Sequence, residues 1–445
     1  MKATYSDITA FGLALFSLFF GAGNFIFPPL LGQMAGEHLF TALIGFIITA
    51  VGMPLLGVLV VSLIGSNDPH TLPNRVNKKF SLIMMVLINL TIGPFFAIPR
   101  TAAVAFDAGM KSFFTSPDWI IPGLAFFSII FFAVSYYFSI NQDKLSDNVG
   151  KILTPALLIS LTLLVVNAFL SPAGNLGTAV GNYQSIPLAE GFRAGYLTMD
   201  TLASMVFGVL MLNIIKSKGI TSKAETLRFS LGASLIAASC LSAIYISLAY
   251  LGATSVEVTG LAQNGGEILS WAANYYFGTF GNIILAIAFI LACLTTSIGL
   301  MCSGANFFNG LFPKVSYKNW VLIIAVFSCF VANVGLTNLI SISIPVLVFL
   351  YPIVIVLIAL ALFNNFIKIS RLVYQLSVGV TVIMGLIEAI NVIGLNITAI
   401  NKFLEQILPL YNQGFGWILP ALLTAIFAYA ISKLSCNNYN NSNSF

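Results

Sequence analysis

Three stretches of this chain put polar groups where a membrane segment would normally carry leucine. The first is Phe19-Phe20-Gly21-Ala22-Gly23-Asn24-Phe25-Ile26-Phe27-Pro28-Pro29, inside an apolar run from Ile8 to about Met34. Glycine is a poor helix former and each proline removes a backbone donor. Backbone leaves helical geometry at membrane depth only where protein or a water-filled cavity satisfies the freed N–H and C=O groups. The stretch therefore predicts a broken helix beside an internal site. The competing reading is a glycine-packed helix contact with a proline kink near its end. The second stretch, Tyr196-Leu197-Thr198-Met199-Asp200-Thr201-Leu202-Ala203-Ser204-Met205-Val206-Phe207-Gly208, carries an acid, a serine and a glycine. At helical spacing Arg193, Tyr196, Asp200, Ser204 and Gly208 share one face, which is expected to look inward. The third, Ala292-Cys293-Leu294-Thr295-Thr296-Ser297, has three successive hydroxyls. Such oxygens suit a small hard cation, although in helices they more often bond back to their own carbonyls.

The elements that must position these groups follow from composition. Of 445 residues, 58% are hydrophobic and 7% charged, against about 25% charged in soluble domains. Mean hydropathy is +0.98. An all-α polytopic membrane protein is expected, with twelve segments near 8–34, 40–65, 80–99, 119–139, 149–171, 191–214, 227–252, 280–305, 320–342, 344–363, 372–395 and 414–434. With the N-terminus inside, 15 of the 19 Lys and Arg fall on the inner side, as the positive-inside rule requires. The first apolar run is too long for a cleavable signal. The 253–279 connection has room for a short surface helix around Ile268-Leu269-Ser270-Trp271, and the tail 436–445 reads as disordered polar sequence. The five cysteines show no metal or disulfide spacing and are expected as free thiols.

The first and sixth spans, both interrupted, begin two five-span halves, 5–175 and 188–365, followed by two further helices over 370–435. Five is odd, so the halves take opposite topologies. Interrupted helices at matching places in inverted repeats point to a carrier's central site. Arg100, Asp107, Asp200 and Glu388 are the buried ionisable groups. Arg100 and Asp200 read either as a structural ion pair or as an outer gate above the site. Glu388, on the stripe Ser377, Thr381, Gly385, Glu388, reads as a packing or oligomer contact. No phosphate-binding Gly-x-x-x-x-Gly-Lys loop occurs, which argues against ATP-driven transport. An intramembrane enzyme would want clustered His or Asp, or a Ser–His pair, and none is visible; a channel fits the breaks but not their inverted placement. A major-facilitator carrier lacks its basic glycine motif between Gly65 and Lys79.

Gly21-Ala22-Gly23-Asn24-Phe25, the run Gly93-Pro94-Phe95-Phe96-Ala97-Ile98-Pro99-Arg100-Thr101-Ala102 and the Thr-Met-Asp…Phe-Gly segment resemble the BrnQ-type branched-chain amino acid:cation symporters over nearly the full chain. That family is similar to the LeuT-fold superfamily. The resemblance implies a non-enzymatic bacterial inner-membrane importer of leucine, isoleucine and valine, multi-pass with both termini cytoplasmic. For such a substrate the expected contacts are Gly21, Ala22, Gly23, Asn24, Ile92, Ala203, Ser204, Met205, Phe207 and Gly208. Its carboxylate wants the helix-start amides of Ala22 and Gly23. Its ammonium wants carbonyls freed around Ala203 to Val206, with Ser204, and its aliphatic side chain wants Ile92, Met205 and Phe207. Matching the superfamily's sodium motif, Thr295 and Thr296 would give hydroxyls, while Ala292, Ser17 and Phe20 would give carbonyls to a coupling Na+. Proton coupling, or another small neutral solute, stays open. The expected partners are the amino acid and the lipid bilayer, with no nucleic acid and no obligate protein. The first-helix match is one residue short between Asn24 and Pro28, so the outer gate does not transfer.

Overall fold

The structure is a computed structural model that describes residues 5–114, 116–141, 162–217, 219–220, 222–395 and 397–442. Every regular element among them is helical, as a lipid environment demands of a chain whose backbone must satisfy itself. Eight of the described helical stretches are long and apolar enough to cross a membrane, and Tyr5–Phe19, Tyr317–Ala332 and Ile418–Leu434 are shorter apolar helices.

The apolar run that opens the chain is split into α1 (Tyr5–Phe19) and α2 (Ala22–Ala35). Next come α3 (Leu39–Ile47) and α4 (Met53–Ile64), continuous through a wide turn at Ile48–Gly52. Helix α5 (Lys78–Leu90) starts where the Asn77 side chain accepts from the Phe80 amide at 2.7 Å, a conventional N-cap. Gly93 leaves helical geometry (φ −99°, ψ −125°), and α6 (Ala97–Gly109) resumes. After α7 (Ile120–Ile140) the chain reaches a second split pair, α8 (Pro187–Ala194) and α9 (Asp200–Ser217). The remainder is α10 (Lys223–Thr259), α11 (Gly265–Leu311), α12 (Tyr317–Ala332), α13 (Leu336–Phe363), α14 (Arg371–Val392), α15 (Thr398–Ile407) and α16 (Ile418–Ser442).

The two split pairs pack reciprocally. Helices α1 and α2 lie along α10, while α8 lies along α3 and α9 along α4. Glycines permit both crossings. A Cβ at Gly32 would run into the Ala249 carbonyl of α10, and one at Gly252 into the Pro29 carbonyl of α2. In the other crossing, Gly45 abuts the Leu188 carbonyl and Gly191 the Ala42 carbonyl. Without a hydrophobic drive between helices in lipid, such close backbone approach supplies the packing energy. Helix α6 lies along α11, and α14 packs between α13 and α16 at the edge of the bundle.

Several boundaries differ from the sequence expectation. The third span, expected over 80–99, continues to Gly109, because Arg100 and Thr101 are buried inside the bundle rather than at its rim. The turn between the ninth and tenth segments falls at Asn333–Gly335, with Gly335 at φ +87°, and not near 343. Pro345 and Pro352 sit within α13, which neighbouring helices tolerate in a membrane bundle. The helix expected on the surface near Ile268 is the first part of α11, cut from the rest at Gly278 (φ 63°, ψ −162°). Ile268 and Leu269 are buried, so that helix packs inward rather than lying on the surface. The expected fifth segment lies outside the described residues up to position 161, and 162–170 is helical. Helix α16 carries on past Cys436 to Ser442, as propagation of an already formed helix favours.

Candidate functional site

The first break is built by one glycine and one asparagine. The Phe20 amide still bonds to the Phe16 carbonyl at 2.8 Å, and then Gly21 turns extended (φ −115°, ψ −169°). Asn24, at the third position of α2, reaches back so that its side-chain oxygen accepts from the Gly21 N–H at 3.1 Å. Its amide donates to Asp200 Oδ2 at 2.6 Å and to the Tyr245 hydroxyl. One buried side chain thus ties the first break to the second and to α10.

The second break is a tight turn over Gly195–Thr198 followed by Met199 at φ 65°, a left-handed geometry unusual for a non-glycine residue. It frees the carbonyls of Leu197 and Thr198 from the helical ladder. Arg100 takes them, Nη1 donating to Leu197 O at 2.6 Å and Nη2 to Thr198 O at 3.5 Å. Arg100 is buried at 4% exposure, its guanidinium lies 5.1 Å from the centre of the Phe27 ring, and its Nε has no partner. The Gly93-Pro94 kink swings α6 so that this side chain enters the bundle.

Between the breaks lies a cavity of about 40 Å³. Its wall includes Gly21, Ala22, Gly23 and Asn24 from the first break, Ile92 from the α5–α6 kink, and Ala203 and Phe207 from α9. Both charged residues, Arg100 and Asp200, line it as well, as does Thr296 of α11. The volume has room for a few water molecules.

Three expected contacts lie elsewhere. The face that looks into the cavity is Asp200, Ala203, Phe207, not Asp200, Ser204, Gly208. Ser204 and Gly208 are the packing face toward α4: the Ser204 hydroxyl donates to the Thr201 carbonyl at 2.7 Å and fills the notch at Gly57. A Cβ on Gly208 would come within 2.9 Å of Val61. Met205 is fully buried away from the cavity wall. The carbonyls from Ala203 to Val206 lie within α9, where the helical ladder uses them. The chain breaks earlier, so the freed carbonyls are those of Leu197 and Thr198. Arg100 and Asp200 form no ion pair with each other among the described residues. Guanidinium donors match the carbonyls that the Met199 turn orphans, and Asp200 is held by Asn24 instead.

The expected ion ligands are partly gathered. Thr295 and Thr296 both donate to the Ala292 carbonyl, at 2.8 and 3.1 Å. Each hydroxyl keeps lone pairs for a cation, whereas both lone pairs of the Ala292 carbonyl are engaged. Thr296 borders the first break, since a Cβ at Gly21 would sit 3.5 Å from its Oγ1. Phe20 is buried at that break, while Ser17, one turn earlier on α1, is exposed.

Glu388 stands apart from this cavity. Its Oε1 lies 3.8 Å from Arg193 Nη2, which joins α14 to α8. The residue the sequence reading missed is Tyr245, fully buried in α10, where its hydroxyl completes the Asn24–Asp200 cluster. A tyrosine within the apolar run Ala243-Ile244-Tyr245-Ile246 was the available signal, because a buried hydroxyl needs a partner.

The family model for branched-chain amino acid transport proteins matches residues 4–435. The chain is 42% identical to branched-chain amino acid permease BrnQ of Bacillus subtilis over 431 residues, 97% of this chain and 98% of that one. It is 41% identical to the branched-chain amino acid transport system 2 carrier protein of Pseudomonas aeruginosa over 428 residues, 96% of each. Among solved structures, it resembles MhsT in complex with L-phenylalanine (TM-score 0.58, 16% identity, 98% of this chain and 99% of that one). It also resembles Mhp1, a nucleobase-cation-symport-1 family transporter, in a closed conformation (TM-score 0.57, 14% identity, 97% and 93%). These structures share its fold. With the family model covering nearly its whole length, the chain belongs to the branched-chain amino acid transport protein family.

Proposed function

We propose that this protein imports leucine, isoleucine and valine across the bacterial cytoplasmic membrane by sodium symport through alternating access, with both termini cytoplasmic. The observation that carries the reading is the convergence of both helix breaks on one cavity bordered by Thr296. Twelve spans in two inverted five-helix halves plus two outer helices fit the reciprocal packing, in which each split pair lies along the second element of the other half. The substrate carboxylate faces the amides of Ala22 and Gly23, and the side chain lies against Ile92, Ala203 and Phe207. Discrimination among the three substrates is weak, because one methylene is worth about 1–3 kcal/mol. Sodium sits beside Thr295 and Thr296 with carbonyls from the first break. The doubly engaged Ala292 carbonyl favours one competing reading, proton coupling with no sodium ligand there.

Counterflow of labelled isoleucine in proteoliposomes tests the proposal. Accumulation in liposomes loaded with unlabelled isoleucine, stimulated by sodium, is the expected result. Counterflow without sodium dependence refutes the sodium assignment, and no counterflow by isoleucine, leucine or valine refutes the carrier reading.

A further inference from the structure

We propose that Arg100 and Asp200 are direct ligands of the substrate zwitterion, the guanidinium taking its carboxylate and the Asp200 carboxylate its ammonium. The proposal rests on the transport reading and deepens it, replacing a gate above the site with a pair of charges inside it.

Both side chains line the central cavity, and both are buried, at 4% and 5% exposure. Opposite charges so placed in an apolar bundle would ordinarily pair, since an uncompensated buried charge is expensive. These two do not. Each is held in place by neutral groups: Arg100 by the Leu197 and Thr198 carbonyls, Asp200 by the Asn24 amide. No ion pair joins them among the described residues, and both stand on the wall of the same cavity, where a ligand can reach each. Arg100 also keeps a buried Nε with no partner. A zwitterion offers each a counter-charge, a carboxylate for Arg100 and an ammonium for Asp200.

The placement of Arg100 supports the same orientation. A Cβ at Gly23 would come within 2.7 Å of its Nη2, so the guanidinium and the helix-start amides share one end of the cavity. A planar fork of donors next to free amides suits a carboxylate, which accepts in bidentate fashion. Asn24 then has a defined task. It orients Asp200 without cancelling its charge, leaving the carboxylate able to accept from an ammonium. The apolar remainder of the wall, Ile92, Ala203 and Phe207, is left for the aliphatic side chain.

The test uses the purified full-length protein and three probes with one carbon skeleton: leucine, 4-methylpentanoate (no ammonium) and leucinol (no carboxylate). Binding is read by titration calorimetry. Asp200→Asn is expected to weaken leucine on the order of 10- to 100-fold while changing 4-methylpentanoate less than about threefold. Arg100→Gln is expected to weaken leucine and 4-methylpentanoate by that factor and to spare leucinol. Equal losses for all three probes in either variant would overturn the proposal, as a gate or a structural contact predicts. Should either variant fail to fold, Arg100→Lys and Asp200→Glu keep the charge but lose the fit. They are expected to show the same probe selectivity, and parallel losses again count against it. If the unaltered protein binds no leucine, the transport reading itself fails, a result distinct from the loss of selectivity.

Discussion

Asn24→Leu is the perturbation that reads the central cluster most sharply. The substitution keeps the branched side-chain skeleton and removes three hydrogen bonds: one donated to Asp200 at 2.6 Å, one donated to the Tyr245 hydroxyl, and one accepted from the Gly21 N–H at 3.1 Å. A bond to a charged group contributes about 1.5–3 kcal/mol and each neutral one about 1 kcal/mol. The expected destabilisation is therefore about 3.5–5 kcal/mol, with the largest share from the carboxylate left short of a donor. Denaturant unfolding in detergent micelles measures it. The diagnostic quantity is the coupling with Asp200→Asn in a double-mutant cycle. If Asn24 acts mainly through Asp200, the coupling energy is about 1.5–3 kcal/mol, while independent sites add to within about 0.5 kcal/mol. Additive effects would refute the claim that this contact holds the two breaks together.

Three further substitutions separate the roles of the surrounding residues. Gly23→Leu is expected to abolish leucine binding with normal membrane insertion, because even its Cβ meets Arg100 Nη2 at 2.7 Å; normal uptake would leave the first break with a packing role alone. Thr296→Val keeps the shape but removes one oxygen. Because coupling between ligands is reciprocal, it is expected to raise the sodium needed for half-maximal leucine uptake far more than it changes uptake at saturating sodium. An unchanged sodium dependence contradicts the ion assignment. Ser204→Ala is expected to leave leucine affinity within about twofold and to cost about 1 kcal/mol of stability, since the hydroxyl's bond is to the Thr201 carbonyl. A tenfold affinity loss would put Ser204 back in the site.

Much of this arrangement was legible in the sequence because lipid leaves the chain few options. Gly21 and Asn24 announced the first break at the residue where the chain turns extended, since polar, poorly helical sequence at membrane depth favours protein-lined surroundings over lipid. The second break was legible as a region but not as a position. A helical-wheel reading begun at Arg193 assumes one continuous helix, and the left-handed Met199 resets the phase before Asp200. Within α9, Ala203 and Phe207 lie to one side of Asp200 and Ser204 and Gly208 to the other, so the first pair faces the cavity and the second α4. Met199 gave no warning, because positive φ is expected of glycine or asparagine, and methionine holds it only under surrounding constraint. Arg100 and Asp200 were recognisable as buried charges from their types alone. Their separation was not, since it depends on which carbonyls the turn at Met199 sets free. Tyr245 lies 221 positions from Asn24, and local patterning carries no information about such a pairing.

The most direct measurement of the central claim is photo-crosslinking with a diazirine analogue of leucine, followed by peptide mapping. The analogue's reactive carbon sits in the aliphatic side chain, so it reports where that side chain rests. Adducts at Ile92, Ala203 or Phe207, suppressed by excess leucine, are the predicted result. Leucine-suppressible adducts confined to the separate cavity beside Arg193, Glu388 and Tyr411 would contradict it.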